Sequence, residues 1–183
     1  MTPLARRVAA VFAVALAAAC SQPSNSGSAS PTGPTVTAAD IAALAPTAKD
    51  VPKSWGRFKG APPEPETGQA LEGGMSGLQV TLQSKDGGLV HWTGTVFASE
   101  DQAKAIFDAF RQVTPDQAQM AFQQLADPGL GDESVGKLAP NISQYAYEWR
   151  TGNAVFTLNV QSDRLTSDEK AAAAAKAFAG ESG

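Results

Sequence analysis

Between positions 144 and 161 the chain alternates twice, with a tight turn in the middle, and no other stretch constrains the fold as strongly. Tyr145, Tyr147 and Trp149 alternate with Gln144, Ala146, Glu148 and Arg150; Ala154, Phe156, Leu158 and Val160 then alternate with Val155, Thr157, Asn159 and Gln161. A two-residue period puts successive side chains on opposite faces of a strand. Each run therefore reads as a strand, and Thr151-Gly152-Asn153 supplies residues that tolerate the positive φ of a hairpin turn. Two strands alone bury too little to be stable, so this hairpin requires a larger sheet.

A second hairpin is legible upstream. Val80 and Leu82 alternate with Gln79, Thr81 and Gln83 from Gly77 onward, Lys85-Asp86-Gly87-Gly88 is a turn, and Leu89–Phe97 is the returning strand. Ser99 and Gln102 form a capping box that opens a helix, with Ala103, Ile106, Phe107, Phe110 and Val113 on its apolar face. Thr114-Pro115-Asp116-Gln117 predicts another helix start, with Ala118, Ala121, Phe122 and Leu125 buried. Thr166-Ser167-Asp168-Glu169 opens an alanine-rich helix that carries Phe178. Near the amino end, Thr37 and Asp40 cap a short helix edged by Ile41 and Leu44 and limited by Pro46, and the turn at 50–55 delivers Trp55 to the body. Residues 56–76, with Pro62, Pro63 and Pro65, read as an irregular loop or flap, and 127–140 as a second loop. The expected fold is α+β: one antiparallel sheet built from two β-hairpins with helices packed on one face, in ββαα-ββα order. The repeated ββα pattern suggests duplication, but the halves share no residue-level identity.

The amino terminus belongs to a different class of sequence. Arg6 and Arg7 make a positive start, and Val8–Ala19 is apolar, uncharged and too short to span a hydrocarbon core of about 30 Å. Leu16-Ala17-Ala18-Ala19-Cys20 resembles the lipobox of bacterial lipoproteins, with Ala17 where a larger aliphatic residue is usual. The resemblance implies diacylglycerol on the Cys20 thiol, cleavage after Ala19, and often acylation of the new amino group. The alternative is an ordinary secretory signal cut at Ala17-Ala18-Ala19, leaving Cys20 as a free thiol. Residues 1–19 are then a signal peptide, 20–36 the lipidated cysteine with a Ser/Pro/Gly tether that cannot bury enough surface to order itself, and 37–183 a single domain. The expected location is the extracytoplasmic side of the cell membrane, with the membrane as partner through the lipid on Cys20.

Charge and cysteine content exclude several classes. The chain has 14 Lys+Arg against 18 Asp+Glu, and loss of the signal with Arg6 and Arg7 leaves it more acidic. No basic block is present, which argues against nucleic acid as a partner. One cysteine permits no internal disulfide.

His91 is the single histidine. It is out of phase with Val90 and Trp92 and reads as a strand histidine on the opposite face, and no G-x-S-x-G elbow accompanies it. With one His and one Cys a zinc site is not expected. Residues 127–134 carry Asp127, Asp132 and Glu133 among glycines but lack the twelve-residue calcium-loop pattern. The Gly131-Asp132-Glu133-Ser134 loop and the Arg150-Thr151-Gly152-Asn153 hairpin are similar to small extracytoplasmic lipoproteins of high-GC bacteria; physically, Asp132 or Glu133 is placed to pair with Arg150. Trp92, Tyr145, Tyr147 and Trp149 share one strand face, either as core or, beneath a flap at 56–76, as the wall of an apolar pocket. The expected function is a non-catalytic binding or sensor module for a small apolar ligand or an envelope protein, with no cofactor. The alternatives are a carboxylate-dependent hydrolase using Asp132 and Glu133, or a structural envelope lipoprotein.

Overall fold

A computed structural model describes residues 35–66, 74–115, 121–162 and 167–180; the proposed signal peptide, Cys20 and most of the tether lie outside them. The elements in order are α1 (Ala38–Leu44), β1 (Phe58–Gly60), β2 (Glu64–Pro65), β3 (Gly74–Ser84), β4 (Leu89–Phe97), α2 (Glu100–Gln112), β5 (Gln123–Gln124), β6 (Glu133–Ala139), β7 (Gln144–Thr151), β8 (Ala154–Gln161) and α3 (Asp168–Phe178). The strands form one antiparallel sheet in the order β1-β3-β4-β8-β7-β6-β5, with β2 also pairing β3. The protein is α+β, and the two hairpins foreseen from alternation, β3–β4 and β7–β8, meet at its centre through β4 and β8.

Capping sets the helix starts. Thr37 and Asp40 form a complete capping box. The Ser99 Oγ accepts from the Gln102 N–H at 3.2 Å, and the Ser167 Oγ accepts from the Lys170 N–H at 3.4 Å. These bonds satisfy amide groups that have no partner inside the first turn.

The helices do not share a face, contrary to the expectation. On one side, Val80, Leu82, Trp92, Phe156 and Leu158 pack with Ile41 of α1, Trp55, and Ala174, Ala175 and Phe178 of α3. On the other, Phe97, Val135 and Val155 pack with Ala103 and Phe107 of α2. The central strands carry apolar side chains in both phases of the alternation at the end where β4 finishes and β8 begins, because Phe97 and Val155 stand opposite in phase to Trp92 and Phe156, and each set requires its own cover. Gly94 lets α1 approach the first face. A Cβ there would lie 2.8 Å from Trp92 Cη2 and 3.0 Å from Ile41 Cγ2.

Three further expectations are corrected. Residues 56–76 are not all loop: β1, β2 and the start of β3 lie within them, and Pro65 is tolerated because β2 is a two-residue strand at the sheet margin. Residues 127–140 contain β6, fully paired with β7 from Glu133↔Arg150 to Ala139↔Gln144. The helix expected to run from Thr114 through Leu125 cannot do so, since Gln123 and Gln124 pair with Leu138 and Lys137. Ala121 is exposed, and Phe122 and Leu125 are half-buried; Ala118 lies outside the described residues. Pro115 itself is helical, as the Thr114-Pro115 start signal predicts, and edge pairing takes over at Gln123 and Gln124.

Candidate functional site

Arg150 sits at the carboxy end of β7, on the α2 side of the sheet, with its side chain 7% exposed. Its Nη1 donates to Glu100 Oε1 at 3.0 Å and to the Gly152 carbonyl at 2.9 Å, and its Nη2 donates to Glu133 Oε1 at 3.2 Å. Asp132 Oδ2 lies 3.3 Å from the same Nη1 and accepts from the Gly152 N–H at 2.7 Å. Glu133 also meets Lys104 and Arg111 of α2, both of which pair with Asp108. The turn is held from the other side as well: the Asp132 N–H donates to the Arg150 carbonyl, and Gly131 there has φ +54 with the Arg150 carbonyl too close for any Cβ. Asp132, Glu133 and Arg150 are thus brought together, but their charges are spent on one another. They clamp α2 to the β6–β7 hairpin, and although Asp132 and Glu133 keep 40% and 26% of their side chains exposed, both are engaged with Arg150.

The four aromatic residues share a face as expected, and all are interior. Trp92 is 0% exposed, Tyr147 1%, Trp149 3% and Tyr145 6%. Trp149 stacks on Phe156 with centroids 5.2 Å apart, and Trp92 lies tilted against the same ring at 6.0 Å. Tyr145 Oη donates to Asp168 Oδ1 of α3 at 3.2 Å. Burial pushes the Tyr147 hydroxyl well above its ordinary pKa. These side chains fill the space beneath α1 and α3 and present no wall to solvent.

His91 is half-buried on the opposite face from Trp92, and its Nδ1 shares a 3.0 Å hydrogen bond with Thr81 Oγ1, its partner across the ladder. Burial lowers its pKa, which favours the neutral ring. Asp127 is equally engaged: it accepts from the Ser134 hydroxyl and from the Gly129 N–H, and these bonds hold its carboxyl below the usual range. Among the described residues no three His, Cys, Asp or Glu side chains converge as a metal-binding set.

Two features were missed by the sequence reading. One is a buried ion pair under α2: Lys137 Nζ lies 4.0 Å from Glu148 Oε2, donates to the Phe110 carbonyl at 2.6 Å, and stands 5.3 Å above the Phe122 ring. Burial pushes the Glu148 carboxyl up, against a weaker downward pull from Lys137. The other is an open groove of about 780 Å³ beside the β3–β4 turn, lined by Arg57, Lys59, Lys85, Asp86, Thr81 and Ser84 among others. Thr81 and Gln83 are exposed there, on the same sheet face as His91 and α2 but beyond the part that α2 covers. Arg57 and Lys59 fall in the segment read as loop, and Lys85 was read only as a turn residue, so no alternation or motif marked them.

No protein-family model and no curated protein matches the chain. The site therefore stands on the geometry of the described residues: a solid aromatic core, an ionic clamp, and a cation-lined groove at the end of the sheet away from the clamp.

Proposed function

We propose that the chain is an extracytoplasmic lipoprotein, held at the cell membrane through a lipid on Cys20, whose folded domain is a non-catalytic binding or sensor module. The lipobox-like Leu16–Cys20 and the tether that follows support the anchoring half of this reading. The single observation that carries the binding half is the open groove at Arg57, Lys59 and Lys85, a recess large enough for a small molecule. An apolar ligand on the Trp92–Trp149 face would have to displace packed core side chains, so recognition belongs to the groove. A hydrolase reading finds less support, because Asp132 and Glu133 are occupied by Arg150 and do not converge on His91.

Anchoring is tested by Cys20→Ser. The wild-type chain should fractionate with membranes and the variant should accumulate as unprocessed or released protein; a variant that still fractionates with membranes as a mature form overturns the reading. Binding is tested by native mass spectrometry of the protein purified from its own envelope, where a retained small molecule is expected and a bare chain counts against the module.

A further inference from the structure

The groove resting on that reading has a distinctive charge arrangement. In the β1–β3 ladder Phe58 pairs with Ser84, Lys59 with Gln83 and Gly60 with Leu82. Arg57 immediately precedes that ladder on one strand and Lys85 immediately follows it on the other, and both line the groove. Lys59, within the ladder, adds a third cation to the same recess. Among the described residues none of the three forms an ion pair, and Asp86 is the one carboxylate in the lining. Around Arg150, by contrast, three carboxylates gather on one guanidinium. The amide of Gln83 lies exposed beside the cations, as does Thr81, whose hydroxyl is shared with His91 Nδ1.

We propose that this groove binds a phosphate-bearing anion, a phosphomonoester or phosphodiester group carried on a larger molecule. An arginine fork and two ammonium groups around neutral donors suit a multiply charged tetrahedral anion. An occupant of that charge offsets the mutual repulsion of three cations gathered around one recess. The volume exceeds what one phosphate needs, which leaves room for the organic part. The phosphate is either a lipid headgroup of the membrane to which the chain is tethered or part of a soluble compound.

The test uses the whole mature chain with Cys20→Ser, isotope-labelled, and titrates it with pyrophosphate. Amide shifts at Lys59, Gln83, Lys85, Gly87 and Gly88 should saturate, and Lys59→Gln with Lys85→Gln should weaken binding at least tenfold while leaving other resonances in place; Arg57→Gln should do so independently. Sedimentation with phosphatidylglycerol vesicles, against phosphatidylcholine vesicles, separates the sources: groove-dependent retention on the anionic vesicles alone assigns a lipid headgroup, and groove-dependent pyrophosphate binding assigns a soluble phosphate. Absence of both, shifts away from the groove, unchanged affinity in the variants, or equal shifts with sulfate would overturn the proposal. A non-phosphate ligand retained by the envelope-purified protein, alongside those negatives, removes the phosphate assignment and leaves the binding module standing; a bare protein removes both.

Discussion

Arg150 and Glu133 face each other across the β6–β7 ladder, with Nη2 3.2 Å from Oε1 and the guanidinium nearly enclosed. The same guanidinium reaches Glu100 on α2 and the Gly152 carbonyl in the next turn. One side chain therefore joins α2, β6 and the β7–β8 turn. Arg150→Met keeps the apolar stem and removes the fork. The carboxylates are 26% to 40% exposed and can rehydrate, so the loss should be about 2 to 3 kcal/mol rather than that of a fully buried pair. Urea denaturation measures it, and a change under 1 kcal/mol would show that the clamp contributes little.

Gly94 is predicted to be intolerant of a methyl group. In Gly94→Ala the new Cβ would press on Trp92, Ile41 and Phe156 at 2.8 to 3.2 Å, and overpacking of this kind costs about 1 to 3 kcal/mol. The melting temperature should fall, and amide exchange should quicken first in α1. Uniform exchange at the wild-type rate would refute the close approach.

Stability should carry an alkaline-direction loss traceable to Glu148. Its carboxyl is raised in the folded state by burial, so the folded protein binds that proton more tightly than the unfolded chain. The contribution is therefore most favourable below the unfolded pKa of about 4.3 and declines as pH rises through the window up to the folded pKa. Glu148→Gln does not titrate. The wild-type stability minus that of the variant should fall with rising pH across this window; parallel curves would contradict the assignment.

The three tryptophans offer a direct test of core against platform. Trp55, Trp92 and Trp149 are 5%, 0% and 3% exposed. Emission should be blue-shifted and poorly quenched by iodide, and Trp149→Ala should cost about 3 to 5 kcal/mol. Ready quenching in the folded protein would return the aromatic face to solvent.

Local sequence determined the β3–β4 and β7–β8 hairpins, α2 and the α3 start. Alternation, turn residues and capping pairs such as Ser99 with Gln102 are short-range physics, complete within a few residues. It also marked Asp132, Glu133 and Arg150 as partners, since both ends of that contact lie in recognisable turns. Tertiary structure alone decided the rest. β6 was hidden because Gly136 and Lys137 interrupt its pattern, and a lysine is admitted to the interior only where Glu148 and the Phe110 carbonyl meet it from other elements. That Gln123 and Gln124 pair as strand depended on an edge of β6 waiting to be paired. Which face each helix covers depended on both phases of β4 and β8 needing burial. The cation groove arose because the β1–β3 pairing brings the segment that carries Arg57 and Lys59 alongside the β3–β4 turn that carries Lys85, elements separate in sequence.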